Sequence, residues 1–438
     1  MEIPENIKWI MLKLNDFGFE AFIIGGAVRD MLINQEPHDY DIFTNATGEE
    51  ILKVFPQGVI IGGHERQAKI LTVIVDGVEV SRYRSNGDRT QTGTSLKEHC
   101  GTCDFTINAM AIDVAGNLHD FFGGVQHFKE GKLVFVGDPF ARVREDPLRI
   151  LRGIRFLTKY NMALGIAEKK MFENAWMFIK DLPKERIREE VIKIMLLPRG
   201  IEVMHNFGLL QEIIPEFKKC NIDGGQHHNE KVHEHMILAH KYCQSVTDDY
   251  RIQLAALLHD IGKGATYTND DNVIHFYQHE KVGAEYVESW MKEYKFSTMD
   301  IKLVTTLIRL HMWHHEDGST IKTFGRKLQE LKENGATHWD LLMVFYADNQ
   351  GNLTKERSKF GDFCQGSYFL ANYNFAIKEN KPFNVNDLDI DGNIIMKLGF
   401  EGPEIGKIKN ILFDEVWEGT LINRRDDLIK RVKNYEKQ

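Results

Sequence analysis

The stretch that decides the fold runs Phe22-Ile23-Ile24-Gly25-Gly26-Ala27-Val28-Arg29-Asp30 and continues to Asp39-Tyr40-Asp41-Ile42-Phe43. Phe22-Ile23-Ile24 reads as a buried strand, Gly25-Gly26 as a turn, and Ala27 to Ile33 as a short helix. The chain then returns as a second strand over residues 39–43. Period-2 alternation puts Asp39 and Asp41 on one face of it and Tyr40 on the other. Two carboxylates on one face, beside a Gly-Gly turn whose amides can approach phosphate, suit Mg²⁺ held against a nucleoside triphosphate. On these residues alone, a solvent-facing Asp-x-Asp edge after a glycine-rich hairpin fits equally well.

At 438 residues the chain exceeds one ordinary core, so two to four domains are expected. Hydrophobic content of 42% and charged content of 27% describe a globular protein. No apolar run approaches the roughly 20 residues of a membrane span. MEIPENIKWIML lacks the basic start of a secretion signal. Five scattered cysteines, Cys100, Cys103, Cys220, Cys243 and Cys364, suit a reducing compartment, so a cytoplasmic location is expected. Cys100-x-x-Cys103 has no second pair at zinc-site spacing and reads as free thiols. The net charge of −9 excludes a uniformly basic coat but leaves room for a local basic stripe.

Pro4 to Phe19 carries apolar residues at helical spacing and stops at Gly18. Ala68–Val75 and Val78–Tyr83 are β-rich and separated by Asp76-Gly77, a hairpin signal. The hairpin brings Glu79 forward as a third carboxylate, although a turn-flanking surface Glu reads the same way. Ser85 to Gly101 is polar and glycine-rich and is expected to be a mobile loop. Asp104 to Asp113 turns apolar again, and a small α/β unit closes near Asp138-Pro139. Arg142 to Tyr160 differs in kind. It has a helical apolar stripe and is densely basic, with Arg149, Arg152 and Arg155 three residues apart on one face. Here is the stripe that the overall charge hides, and it suits an anion.

Four separated stretches now read together. Gly25-Gly26-Ala27-Val28-Arg29-Asp30 with Asp39-Tyr40-Asp41 resembles the nucleotide- and metal-binding motif of class II tRNA nucleotidyltransferases, the family of the CCA-adding enzymes and related bacterial poly(A) polymerases. Asp104-Phe105-Thr106-Ile107-Asn108-Ala109-Met110-Ala111 resembles its second motif. Glu145-Asp146-Pro147-Leu148-Arg149-Ile150-Leu151-Arg152-Gly153-Ile154-Arg155-Phe156 is similar to its nucleobase-reading motif, and Glu185 to Lys193 to the helix supporting that reader.

The resemblance implies that Asp39 and Asp41, with Glu79, hold catalytic Mg²⁺. It implies that Gly25, Gly26 and Arg29 cradle the triphosphate, and that Asp104, Asn108, Arg152 and Arg155 complete the nucleotide site. Asp146 and Arg149 would read the Watson–Crick edge of the incoming base. A fixed Asp acceptor and a forked Arg donor match cytosine and adenine, whereas uracil and guanine leave buried groups unpaired. One departure stands out: Thr102 and Cys103 occupy positions where the family usually has two arginines. Arg82, Arg84 and Arg89 are candidates to compensate.

The second half turns histidine-rich at GGQHHNEKVHEHMILAHKY. Apolar spacing puts His235 on a helix, and RIQLAALLHDI ends a second helix in His259-Asp260. His279 and His311 follow in helical contexts, and Asp348 sits in LLMVFYADN. Imidazole and carboxylate together suit a divalent metal. The set resembles the HD phosphohydrolase superfamily, which implies His235, His259, Asp260 and Asp348 as metal ligands. His279 and His311 match the places where HD proteins hold a second metal or phosphate. His227, His228, His233, His240 and His275 receive no assignment. HD domains appended to CCA-adding enzymes remove 2′,3′-cyclic phosphates or phosphomonoesters from RNA ends, which tilts the expectation toward CCA addition. After Glu401-Gly402-Pro403, an amphipathic helix offers either a phosphate contact at its start or simple packing.

The expected fold is an α/β nucleotidyltransferase head followed by an all-α neck, an all-α HD domain and a helical tail. The expected divisions are 1–140, 141–222, 223–362 and 363–438. Expected partners are the tRNA 3′ end, CTP and ATP, with Mg²⁺ in the head, a divalent transition metal or Mg²⁺ in the HD domain, and no membrane. The alternatives are a poly(A) polymerase, an HD phosphohydrolase with an impaired transferase head, and a tRNA-binding protein with neither activity.

Overall fold

A computed structural model describes residues 2–61, 72–85, 88–93, 95–226, 228–271, 273–313 and 321–435. The chain forms two compact units, Met1–Leu209 and Leu210–Gln438.

The first unit is built on a seven-stranded mixed sheet. Its order is Val59–Ile61, Thr72–Val75, Val78–Arg82, Asp41–Thr44, Ala21–Ile24, Met110–Ile112, Leu118–Asp120. Ala21–Ile24 sits inside the sheet because Ala21, Ile23 and Ile24 are all buried. The helix Glu5–Asp16 lays Ile7, Ile10, Met11 and Leu14 on the sheet, as its spacing predicts. Each such side chain contributes roughly 1.5–3 kcal/mol of burial. Thr47 and Glu50 close a capping box at the start of the helix Gly48–Val54. Asp76 and Gly77 both take positive φ, which makes the tight turn joining Thr72–Val75 to Val78–Arg82.

Three expectations need correction. The strand carrying Asp41 begins at Asp41, not at Asp39, so Asp39 lies in the exposed segment before it and the two carboxylates do not alternate along one strand. Pro37 precedes that segment, and proline leaves no backbone donor for a ladder. Ser85 to Gly101 is not a bare loop. Arg84–Ser85 pairs with Asp88–Thr92, and Leu96–Cys100 is a helix capped by Ser95. Arg142 to Tyr160 is not one helix but two, Pro139–Glu145 and Arg149–Tyr160. Pro147 holds Asp146 in extended backbone and ends the first of them.

The second unit is helical. Val232–Cys243, Tyr250–Leu258, His279–Glu293, Thr298–Leu310 and His338–Gly351 pack around a core that includes Met236, Leu257, Val304 and Phe345. A hairpin, Tyr267–Asp270 with Val273–Phe276, is inserted before the third of these. Gly262 follows His259-Asp260 where a Cβ would stand 2.1 Å from the carbonyl oxygen of His279, so only glycine lets these two metal-type segments approach. Further on, Ile321–Glu333 packs against Pro403–Glu418, whose Trp417 is buried and donates its indole N–H to the Pro382 carbonyl at 2.6 Å. Among the described residues no helix is long and apolar enough to cross a membrane.

Candidate functional site

In the first unit, one cleft of about 400 Å³ gathers residues from four separated stretches. Gly25, Gly26, Arg29, Asp41, Asp104, Asn108, Asp146, Arg149, Arg152 and Arg155 all line it, as do Arg84, His99, Thr102 and Cys103. Gly25 takes φ +86, a conformation open to glycine, and so turns the strand into the helix Gly26–Leu32.

Register places Glu79 directly beside Asp41 on the neighbouring parallel strand. Burial raises the Asp41 pKa, Glu79 and Asp39 raise it further, and Arg84 opposes them. A carboxylate whose charge is disfavoured in this way is what a bound cation would relieve. Asp39 and Glu79 are exposed, and Asp41 is partly buried. Among the described residues the three do not converge as a metal-type cluster, and of them only Asp41 lines the cleft, so Mg²⁺ here would take part of its oxygen shell from the protein and the rest from a bound ligand.

The wall of the cleft is a chain of hydrogen bonds. Arg29 donates to Tyr160 Oη at 2.7 Å and to Asn108 Oδ1, and its guanidinium stacks on Phe156 and Tyr160. Asn108 donates to Asp104 Oδ1 at 2.7 Å, and Arg152 Nε donates to Asp104 Oδ2 at 2.7 Å. Burial alone would raise the Asp104 pKa, but Arg152, Asn108 and the Phe105 N–H hold it below its usual range. Arg149 is fixed by Glu145 at 2.9 Å and by the backbone carbonyls of Arg142 and Thr102. Asp146 accepts from Arg186 at 3.1 and 3.2 Å. Arg155 donates to Glu190 at 2.9 Å.

Thr102 thus serves Arg149 through its backbone, whatever its side chain. Of the candidate compensating arginines, Arg84 lines the cleft and Arg82 does not. The Arg89 side chain lies outside the described residues. His99 is the cleft residue that sequence reasoning missed, because nothing in its polar surroundings marks it.

The second unit holds the HD residues in one buried cluster. His235 Nε2 lies 3.1 Å from His259 Nε2 and 3.1 Å from Asp348 Oδ1. Asp260 Oδ2 lies 3.3 Å from His259 Nε2, and Asp260 Oδ1 lies 3.2 Å from His279 Nε2 and 3.5 Å from His311 Nε2. Nδ1 of His259, His279 and His311 each meets a backbone carbonyl three residues back, at 2.8, 2.9 and 2.7 Å. Those acceptors put the proton on Nδ1 and leave the Nε2 lone pairs facing inward. Converging lone pairs and carboxylates repel unless a cation sits among them, so this donor set fits a divalent metal. His279 and His311 approach within 3.2 Å through their Nε2 atoms, beside the second Asp260 oxygen.

Two residues here escaped the sequence reading. Glu230 lies 3.3 Å from His235 Nδ1, accepts from His228 at 2.8 Å and is held by the Leu353 N–H. Burial would raise its pKa, yet those partners hold it at about 2. Lys263 donates to Asp260 Oδ2 at 2.6 Å. A cavity of about 720 Å³ opens onto the cluster, lined among others by His228, Lys263, Phe276 and Lys355. Cys100 and Cys103 are free thiols, and neither joins a metal-type cluster among the described residues.

Comparison with known proteins finds matches in both halves of the chain. Residues 21–134 match the poly A polymerase head domain, 168–220 the probable RNA and SrmB-binding site of polymerase A, and 232–342 the HD domain. The chain therefore carries a head domain of the poly A polymerase type and an HD domain. Its more particular likeness is to CCA-adding enzymes and poly(A) polymerases. It is 31% identical over 253 residues to poly(A) polymerase I of Salmonella typhi, covering 53% of this chain and 54% of that protein. It is 34% identical over 217 residues to the CCA-adding enzyme of Bacillus licheniformis, covering 47% and 54%. The chain spans about half the length of the curated relatives it matches. Its fold is that of the Bacillus stearothermophilus CCA-adding enzyme solved with CTP, with TM-score 0.70, 17% identity, and 99% and 98% of the two chains covered. The Thermotoga maritima CCA-adding enzyme solved with tRNA has TM-score 0.58 and 16% identity, with 98% and 95% covered.

Proposed function

We propose that the head adds CCA to tRNA 3′ ends from CTP and ATP without a nucleic-acid template. We further propose that the HD unit hydrolyses phosphate esters at RNA ends, 2′,3′-cyclic phosphates among them. The observation that carries the first reading is the single cleft joining the Gly25-Gly26 turn, Asp41 and the Asp146–Arg149 pair. In finer division, residues 1–140 are the head, 141–222 the base-reading neck, 223–362 the HD domain and 363–438 a helical tail.

In this reading the RNA 3′-hydroxyl attacks the α-phosphorus. A P–O bond forms, the bond to the β-phosphate bridging oxygen breaks, and pyrophosphate leaves. Mg²⁺ held by Asp39, Asp41 and Glu79 would make the hydroxyl more acidic and offset charge on the leaving group. The Gly25-Gly26 turn and Arg29 position the triphosphate, with Arg152 and Arg155 nearby. Asp146 and Arg149 present acceptor and donors to the base. Both are already held, by Arg186 and by Glu145 with the Thr102 carbonyl, so little ordering remains when a base arrives. In the HD unit, His235, His259, Asp260 and Asp348 would hold one divalent metal, with His279 and His311 holding a second or a phosphate, to supply a hydroxide nucleophile. A hydrolase that clears RNA ends would supply the free 3′-hydroxyl that the head needs.

The poly(A) reading is favoured by one observation, the 31% identity to the Salmonella typhi polymerase. The test that separates them offers tRNA lacking CCA together with CTP and ATP. The expected product gains C, C and A and stops, whereas unlimited A addition to any RNA overturns CCA addition.

A further inference from the structure

We propose that His99 is a nucleotide-contacting residue of the head, donating its Nε2–H to an oxygen of the bound nucleoside triphosphate, either a ribose hydroxyl or a phosphate. This deepens the nucleotidyltransferase reading and rests on it.

His99 sits near the end of the helix Leu96–Cys100 and is 3% exposed. Its Nδ1 accepts the backbone N–H of Arg84 at 3.0 Å, so Nδ1 carries no proton and the neutral ring carries its hydrogen on Nε2. Its ring packs on Phe43 at a centroid distance of 4.2 Å and near Tyr83 at 5.8 Å, which fixes its plane. Burial, aided by the Arg84 charge, lowers its pKa to about 3, so the ring stays uncharged at neutral pH. Among the described residues Nε2 has no hydrogen-bond partner, and His99 lines the cleft that also holds Gly25, Gly26, Asp41 and Arg84. Nε2 is thus a fixed donor open to the cleft, and an oxygen-rich anion bound there would meet it. Phe43 and Tyr83 flank the ring, so it cannot turn its donor elsewhere without losing both contacts.

The test is equilibrium binding of ATP and CTP, with Mg²⁺ and without RNA, to the full chain. His99→Asn keeps an acceptor for the Arg84 N–H and loses the Nε2 donor. It is expected to weaken both nucleotides about fivefold to tenfold with Tm unchanged. His99→Gln, whose amide reaches the Nε2 position, is expected to stay within about twofold of wild type. Repeating the titration with 2′-deoxy- and 3′-deoxy-ATP identifies the acceptor. If a hydroxyl is the partner, the variant and wild type converge on one analogue. If phosphate is the partner, the ratio persists on both. A folded His99→Asn protein that binds both nucleotides as wild type does overturns the proposal. A wild-type protein that binds no nucleotide overturns instead the reading it rests on.

Discussion

The two candidate sites in this chain handle charge in opposite ways. In the head, Asp41 lines an open cleft, and Asp39 and Glu79 lie outside its lining. Asp39 and Glu79 are exposed, and burial, then Glu79 and Asp39, raise the pKa of Asp41. In the HD unit, His235, His259 and His311 are each 1% exposed and Asp260 is 2% exposed, with every ring oriented from behind by a backbone carbonyl or by Glu230. In the proposed reading the first arrangement is incomplete without substrate, because a triphosphate would supply the remaining oxygens. The second is complete in the protein. The expected consequence is that the HD unit retains metal through dialysis, whereas the head takes up Mg²⁺ together with a nucleotide.

The largest effect tests how the head wall is held. Asp104 is buried and receives Arg152, Asn108 and the Phe105 N–H. Asp104→Ala should cost on the order of 3 kcal/mol in denaturant unfolding, since it strands those donors. The contribution is present above the usual carboxylate range and fades as pH falls through the lowered folded pKa, so the gap between wild type and variant should narrow in acid. A loss below about 0.5 kcal/mol would mean the wall does not depend on this hub.

The next effect tests the prebuilt character of the HD site. Glu230→Gln keeps the shape but removes the charge behind His235 Nδ1, and should weaken metal affinity about 10–100-fold, read by Mn²⁺ titration. Unchanged affinity would remove Glu230 from the site.

A smaller effect concerns Thr102 and Cys103. Because Thr102 holds Arg149 through its carbonyl, restoring two arginines should leave base choice unchanged. It should alter the nucleotide KM by only a few-fold, roughly the worth of one charge-assisted hydrogen bond. A large rise in turnover would instead mark the present head as impaired.

The smallest effect is on stability at Asp41. Its pKa is raised in the folded state, so folding binds a proton and stability declines as pH rises through the carboxylate range. Asp41→Asn should therefore raise Tm modestly at pH 7, with the difference shrinking in acid. A lower Tm at pH 7 would contradict the mutual repulsion of these carboxylates.

Much of this was legible in the sequence where the signal is local. The Asp76-Gly77 turn announces the hairpin that sets Glu79 against Asp41, and the adjacent His259-Asp260 pair closes the apolar run of the helix Tyr250–Leu258. What was not legible depends on tertiary partners. Pro147 splits a segment whose apolar stripe reads as one helix, and that break points Asp146 into the cleft. Asp39 looks like a strand residue but precedes the strand. His99 and Glu230 show their roles only through Arg84 and His235, 15 and 5 positions away in sequence respectively. No periodicity encodes those meetings.

The claim that the two sites are separate centres is tested most directly by crossing two variants over two activities. Asp41→Ala should reduce nucleotide incorporation into tRNA lacking CCA by about a thousandfold and leave hydrolysis of a 2′,3′-cyclic phosphate at wild-type rate. Asp260→Ala should do the reverse. Incorporation that survives Asp41→Ala, or a single variant that abolishes both activities while the protein stays folded, would contradict it.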